Sequence, residues 1–356
     1  MTARDNFDTL APDFSVKING QALPTDALAD MIALSVLDDV DAASMFTLTL
    51  SGWDAAQMKP KWIDDPLFRE GNAVEIGIGY RDDTPPLATG EITGIEPEFL
   101  LGKGPTLTLR GLDRRHRLMR ARRTRTFTNC KDSDIASRLA SEAGLKPDTQ
   151  DSKVTLDHVF QHNQTDLEFL LTRAHRIGWE LVVQDRTLVF RPRKAAESEV
   201  LTLHREVELL EFRPRLSTLG QVPELEVRGW NPKDKKEIVA RAAVGDESKL
   251  MNGRNSGPAV VRSAFSTHAS ARVTQPVQDQ AEADQLAQRG FVEMALHHIH
   301  AQGLCIGEPR LKAGAVVKIE GLGERFSGLY YVTSTEHRFG KRNGFRTAFS
   351  ARRNAT

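Results

Sequence analysis

The sequence predicts an α+β protein in which two related β-barrel domains, with inserted α/β domains, lie in a single chain. The first observation is a series of three strands near the C-terminus, Ala315–Ile319, Gly328–His337 and Phe345–Arg352. Asn343 and Gly344 separate the last two strands, and such a pair is a strong hairpin signal because both residues tolerate positive φ. The third strand alternates apolar and polar positions, as expected for a sheet with one buried and one wet face.

The second observation is that the same design occurs about 240 residues earlier in the chain. A turn glycine and three strands recur in the same order with near-constant spacing. The matched segments are Glu70–Ile78 with Ala313–Ile319, Ala88–Ile95 with Ser327–Ser334, and Pro105–Arg110 with Gly344–Phe349. A fixed offset over consecutive elements indicates a duplicated structural unit. The alternative is that any two meandering sheets look alike.

Three further strands are predicted before the first repeat, at Phe14–Ile18, Ile32–Leu37 and Met45–Leu50. With the repeated strands they form a six-stranded unit. Turn signals every ten or so residues favour a barrel or a sandwich, and a closed barrel would hide its strand edges. The first β-barrel domain is therefore predicted over residues 1–125.

A change of pattern predicts a small α+β domain over residues 126–195. One helix stops at Gly144, and a second begins with a capping box formed by Thr165 and Glu168 and ends at Gly178. A hairpin of two short apolar strands follows.

The second β-barrel domain is predicted over residues 196–240 and 304–356. Residues 241–303 are interpreted as an insertion that carries a long helix. The helix is expected from about Asp279 to Gln302, because apolar residues recur there at helical spacing.

The composition argues against several function classes. The 356 residues include 48 basic and 48 acidic side chains, so no global field draws the chain to nucleic acid or an anionic membrane. No signal peptide and no apolar run of membrane-spanning length are seen. Cys130 and Cys305 lack metal-ligand or redox spacing and are interpreted as isolated thiols of a reducing compartment, with a bridge between them as the alternative.

The densest charge run extends from Arg114 to Arg125. One hypothesis is contact with phosphate or nucleic acid. A solvated connection between domains is favoured, because the chain is neutral overall and no aromatic residue lies within the run to stack on bases.

No catalytic constellation is found in the sequence. His297 and His300 are the most metal-like pair, but a structural zinc site needs four ligands and no second cluster is evident. His337 is interpreted as a packed residue rather than a base. Neither a nucleophile elbow nor a metalloprotease motif is present. We therefore expect a non-enzymatic protein without catalytic residues, cofactor or metal site.

Five sequence motifs, taken together and in their order along the chain, resemble those of one family. They are LTLRGLDRRHRLMRARRTRTF, DSDIASRLASEAGL, DLEFLLTRAHRIGWELVVQDRTLVFRP, AEADQLAQRGF and KAGAVVKIEGLGERFSGLYYVTSTEHRF with GFRTAFSARR. The pattern is similar to that of baseplate hub proteins of contractile injection systems, namely the phage late control D proteins and the hub part of VgrG proteins.

The resemblance implies a structural hub made in the bacterial cytoplasm and built into a phage tail or tail-like particle. In that family a homotrimer places six barrels in a ring, which matches a hexameric inner tube above and a trimeric spike below. Baseplate wedge proteins are further implied partners. Because the chain ends at Thr356, about where the second barrel ends, the spike is expected to be a separate polypeptide.

Two other hypotheses are a cell-wall hydrolase or metal-dependent enzyme of a phage-like particle, and a nucleic-acid-binding protein that uses the arginine run. For a hub, we expect no membrane contact and no specific nucleic acid. Tube docking is expected at loops of both barrels. The candidate interface residues are Gly71, Asn72, Gly102, Lys103, Gly104, Gly323, Glu324, Arg325, Lys341, Arg342 and Asn343.

Overall fold

The computed structural model describes residues 11–356, apart from residues 55, 82, 194–198, 232–233, 248, 266–269, 275, 278 and 342–343. Strands dominate and helices lie mainly in the middle of the chain, in agreement with the predicted α+β class.

The elements follow in chain order. The first segment contains β1 (Pro12–Ile18), β2 (Gln21–Ala22), α1 (Thr25–Asp30), β3 (Met31–Asp39), β4 (Met45–Ser51), β5 (Trp53–Asp54), β6 (Lys59–Pro60), β7 (Ala73–Tyr80), β8 (Pro86–Glu98) and β9 (Thr106–Leu112). After a 3-10 helix at Arg114–Met119 come β10 (Arg122–Cys130), α2 (Asp132–Glu142), β11 (Lys146–Thr149), β12 (Leu156–Thr165), α3 (Asp166–Ile177), β13 (Trp179–Gln184) and β14 (Thr187–Pro192). The remaining elements are β15 (Leu201–His204), β16 (Leu209–Leu216), β17 (Glu224–Asn231), β18 (Lys236–Ala243), α4 (Gly257–Phe265), β19 (Ser270–Thr274), α5 (Gln280–Leu296), β20 (Ile299–Ile306), β21 (Val316–Glu320), α6 (Gly323–Phe326), β22 (Gly328–Gly340) and β23 (Gly344–Arg353).

Thirteen strands form one sheet, whose main path runs β16-β20-β23-β22-β3-β4-β9-β8-β7-β1-β2, with β21 and β15 added beside β22. No sheet closes on itself within the described residues. The two closed barrels expected from the sequence are therefore not seen. The physical reason is that the C-terminal half of β22 pairs with β3 and carries the sheet from one β unit into the other.

Two five-stranded blocks within this sheet have the same order. The first block is β7-β8-β9-β4-β3 and the second is β21-β22-β23-β20-β16, each antiparallel throughout. We call them the first and second β units. The sixth strand breaks the likeness, because β1 pairs with β7 antiparallel whereas β15 pairs with β21 parallel.

Each β unit has its own apolar core. In β4, Phe46, Leu48 and Leu50 are buried and alternate with half-buried residues, as the sequence pattern predicted. Phe345 of β23 is 1% exposed and belongs to the core of the first unit, although it comes from the second. The two units are therefore packed as well as paired.

The middle of the chain contains smaller sheets. The α+β domain has a β10-β12 pair and a β11-β14-β13 sheet around α2 and α3. The predicted capping box is confirmed: the Glu168 amide donates to Thr165 Oγ1 at 3.1 Å, and the Thr165 amide donates to Glu168 Oε2 at 3.0 Å. Gly178 ends α3 with φ 65°, as expected for a helix stop.

The structure differs from expectation in three respects. The helix predicted to reach Gln302 ends at Leu296, because the chain then joins the main sheet as β20. Strand β17 pairs with β18 and β19 in a separate sheet that packs on α5. Strands β10 and β12 were not predicted, because their outward positions carry arginine, histidine and threonine rather than an apolar run.

Candidate assembly interface

The likeness of the two β units extends to single hydrogen bonds. The Gly71 amide donates to the Ile92 carbonyl at 2.8 Å, and the Gly314 amide donates to the Val332 carbonyl at 2.8 Å. Both glycines have positive φ, 86° and 84°. The carbonyl-bearing partners lie 240 positions apart in the sequence. The turns that begin the two β units therefore have the same backbone conformation at the glycine and the same hydrogen bond.

Two β-bulges also recur. The β8–β9 ladder shifts register at Thr93 and the β22–β23 ladder at Thr333, again 240 positions apart. These threonine hydroxyls donate to the carbonyls of Arg110, at 3.5 Å, and Ser350, at 3.2 Å. Strands β3 and β16, which lie at corresponding ends of the two units, also each bulge after their first residue. Because bulges are specific local features, their recurrence confirms the duplication predicted from the sequence.

A junction of seven residue pairs joins the second unit to the first. It runs antiparallel from Ser334 opposite Asp39 to Gly340 opposite Ala33. Phe339 lies across this junction against Phe14, with ring centroids 4.8 Å apart. The Tyr80 hydroxyl donates to the Gly307 carbonyl at 2.8 Å. The junction is thus a sheet ladder reinforced by aromatic packing.

The counterparts of these two junction strands, β8 and β16, each have an open edge. The half of β8 from Gly94 to Glu98 pairs only with β9, and β16 from Glu211 onward pairs only with β20, among the described residues. Pro97 is exposed and Phe99 is 62% exposed, whereas their counterparts in the junction, His337 and Phe339, are buried and half-buried. Unpaired backbone groups and exposed apolar side chains mark these edges as interaction surfaces.

The hairpin tip beyond β8 is notably apolar. Phe99, Leu100 and Leu101 are 62%, 45% and 105% exposed. Three consecutive exposed large apolar residues are unusual on a free surface. Sequence reasoning named the next three residues of this loop, Gly102 to Gly104, and passed over the apolar ones, although the run FLL was visible.

The candidate residues from the sequence lie at two ends of the sheet. The exposed Gly102, Lys103 and Gly104 form the β8–β9 tip, and Lys341 lies at the equivalent β22–β23 tip, where its Nζ donates to the Ala29 carbonyl at 2.7 Å.

Gly323, Glu324 and Arg325 form the exposed helix α6 at the other end of β22. A thirteen-residue strand is about 40 Å long, so the two groups do not form one patch. Gly71 and Asn72 precede β7, and Asn72 donates to the Pro66 and Leu67 carbonyls. Arg342 and Asn343 lie outside the described residues.

The arginine run is the solvated connection that we favoured only in part. From Arg117 to Thr124 every residue except Leu118 is exposed, whereas the start of the run is buried. Arg114, Arg115 and His116 are 4%, 3% and 6% exposed. Arg114 bonds Glu91 and Asp185, which ties the first β unit to the α+β domain. Arg115 bonds Asp113 at 2.7 Å. The start of the run is buried because acidic partners from two domains surround it.

Glu91 is at the centre of the buried ion-pair cluster between the first β unit and the α+β domain. We call this cluster, formed by Glu91, Arg114, His116, Arg117 and Asp185, the elbow. Its carboxylate contacts Arg114 at 3.1 Å, His116 at 2.8 Å and Arg117 at 2.5 Å. Burial alone would raise the pKa of Glu91, but hydrogen bonds from Arg117 and His116 and the charges of Arg117 and Arg114 outweigh it and lower the pKa to about 2. The Glu91 carboxylate is therefore ionised throughout the ordinary pH range.

His297 and His300, the histidines considered for metal binding, contact protein side chains. His297 follows the last turn of α5, and its Nε2 lies 3.2 Å from Glu293 and 2.8 Å from the Arg352 guanidinium. His300 lies on β20, with its ring 4.9 Å from that of His297. A neighbouring guanidinium opposes cation binding. Among the described residues, no group of three or more histidine, cysteine or acidic side chains could hold a metal ion.

His337 is packed, as expected. It is 1% exposed, with Nε2 3.0 Å from the Leu311 carbonyl and Nδ1 3.0 Å from Thr347 Oγ1. Burial lowers the pKa of His337 to about 4, so the ring is neutral. Within the described ranges, no helix combines the length and apolar character needed to cross a bilayer.

Solved structures of tail proteins share this fold. The 43 kDa tail protein of prophage MuSo2 from Shewanella oneidensis superposes with a TM-score of 0.70 at 14% identity, covering 96% of this chain and 98% of that one. A tail protein from Neisseria meningitidis gives 0.69 at 14% identity, with 96% of each chain covered. At these identities the likeness establishes the fold.

A third similar structure is the E. coli c3393 protein, described as a component of the type VI secretion system with structural similarity to phage T4 tail proteins. It has a TM-score of 0.59 at 14% identity, over 96% of this chain and 77% of that chain.

No curated protein has a significant sequence match to the chain. One family model, described as the Alg8 N-terminal domain, matches residues 8–341. Since that match spans nearly the whole sequence, the chain belongs to the Alg8 N-terminal domain family.

Proposed function

We propose that this protein is a structural component of a contractile tail or injection particle, and that it acts as its trimeric hub. Three copies with two β units each form a ring of six similar units. One face of the ring meets a hexameric inner tube, and the other holds a trimeric spike. Baseplate wedge proteins surround it, and no catalysis is involved.

The observation that carries the proposal is the duplication of the five-stranded unit, with equal strand order and equal bulges. A threefold assembly can match a sixfold partner only if each chain presents two near-equivalent surfaces, because a closed ring repeats the same contact at every step. The shared fold with phage tail proteins and a type VI secretion component supports the same role.

We further propose that each β unit is an open, barrel-like domain completed by its neighbours in the ring. The α+β domain and the β17–α5 segment are then insertions that project from the ring. The exposed tips at Gly102–Gly104 and Lys341, with α6 on the opposite end, are the proposed contacts with tube and spike.

The mass of the purified protein in solution tests the proposal. A trimer of 39.6 kDa chains at micromolar concentration is expected. A protein that stays monomeric over a wide concentration range contradicts the hub.

A further inference from the structure

Within each chain, the junction between the two β units is a pairing of two strand edges. It pairs the C-terminal half of β22 with β3 in a defined register. By the duplication, β8 is the counterpart of β22, and β16 is the counterpart of β3. Both counterparts are open edges within the described residues.

We propose that the open edge of β8 pairs antiparallel with β16 of a second copy of this chain, in the register of the internal junction. This rests on the proposed function, because it needs several copies in one ring. Thr333 corresponds to Thr93, and Leu209 corresponds to Met31, by their shared bulges. Transferring the seven internal pairs places Gly94 opposite Ser217, and the pairing then runs to Leu100 opposite Glu211.

Charged residues face residues of opposite charge in this register. Glu96 lies opposite Arg215, and Glu98 lies opposite Arg213. All four residues are exposed in the single chain. Opposite charges facing each other across strands stabilise a sheet, whereas like charges destabilise it. A shift of the register by one residue would turn the partners to opposite faces of the sheet.

Apolar residues agree as well. Ile95 lies opposite Leu216, and the exposed Phe99 lies opposite the half-buried Phe212. In the internal junction the equivalent position of Phe99 is Phe339, which faces Leu34 and packs on Phe14. The pairing therefore gives Phe99 the same kind of apolar partner that its counterpart already has.

The prolines of the two edges fall in one pair. Pro97 lies opposite Pro214. Because neither residue has a backbone N–H, the two missing amide donors fall at one residue pair of the ladder. In a register shifted by two residues, the prolines would interrupt the ladder at two separate residue pairs. Prolines also protect edge strands against unspecific pairing. The prolines therefore make the edges of β8 and β16 poor partners for other strands, whereas the two edges can pair with each other.

Disulfide trapping tests the register. The variant carries Glu98→Cys and Arg213→Cys in a Cys130→Ser background, since Cys130 is half-buried and Cys305 is buried. Opposite residues have Cβ atoms about 5 Å apart, close enough to oxidise with small adjustments. We expect oxidation to give a closed covalent trimer under denaturing, non-reducing conditions.

The matched control carries Glu98→Cys and Arg215→Cys, two residues out of register. Those Cβ atoms would lie about 7 Å apart, so its yield should be at least about tenfold lower. Circular dichroism of the reduced variants checks their folding. A charge swap, Glu98→Arg with Arg213→Glu, should restore the trimerisation that Arg213→Glu alone weakens several-fold.

The outcomes separate the two proposals. A native trimer that cross-links at positions 98 and 213 supports both. A native trimer that does not cross-link there, or that cross-links more readily at 98 and 215, overturns the register and leaves the hub. A protein that is monomeric when reduced overturns the hub and this contact together.

Discussion

Replacing Glu91 by glutamine should weaken the elbow between the first β unit and the α+β domain. The substitution keeps the shape of the side chain and removes its charge. Arg114, at 4% exposure, then keeps only Asp185 as an acidic partner. His116 and Arg117 lose their carboxylate contacts. Leaving buried charges without a partner is among the strongly destabilising changes.

The magnitude follows from the pKa of Glu91, which lies at about 2 in the folded protein against an ordinary value of 4.5. Each pKa unit corresponds to about 1.4 kcal/mol of differential interaction. The ionised carboxylate therefore contributes about 3 kcal/mol to folding. Because the folded-state pKa is the lower one, this stabilisation is complete above about pH 4.5 and is lost as the pH falls toward 2.

Urea unfolding followed by tryptophan fluorescence measures the effect at pH 7 and at several lower pH values. Glu91→Gln should lower the free energy of unfolding by about 3 kcal/mol at pH 7. The difference between variant and wild type should shrink below pH 4.5. Glu75→Gln is the control, because Glu75 pairs with Lys17 at the surface and should cost about 0.5 kcal/mol or less. Equal effects of the two substitutions would refute the reasoning.

Other predictions concern the core and the duplication. Phe345→Ala should destabilise the first β unit by about 3–5 kcal/mol, because Phe345 is 1% exposed within that core; Phe265→Ala, at 64% exposure, should change little in the same unfolding assay. Gly111→Ala should destabilise by about 1–3 kcal/mol or more, because a Cβ there would lie 1.9 Å from the Phe46 ring; an unchanged melting temperature would contradict this. The imidazole signals of His337 should not titrate in NMR spectra between pH 8 and 5, because burial lowers its pKa to about 4; a midpoint near 6.5 would contradict its burial.

Local patterns predicted much of the fold. The capping box at Thr165 and the glycine stop at Gly178 fixed the limits of α3, since both depend on a few adjacent residues. The repeat was recognisable because turn glycines and strand alternation are local as well. The repeat's spacing of about 240 residues is the offset of the two threonine bulges.

Long-range partners were not predictable in the same way. Nothing local distinguishes β22 as the strand that crosses to β3, because an edge strand and a central strand can have the same alternation. The buried start of the arginine run was missed for a similar reason: Glu91 and Asp185 are distant in sequence, and only the fold brings them to Arg114. The candidate interface was placed on glycine loops, whereas the open strand edges became visible only with the strand pairing.

Imaging of single particles of the purified protein tests the central claim most directly. We expect a threefold ring of six similar β units joined in one continuous sheet, with β8 of each chain beside β16 of the next. Isolated single chains, or a ring in which both of these edges face solvent, would contradict it.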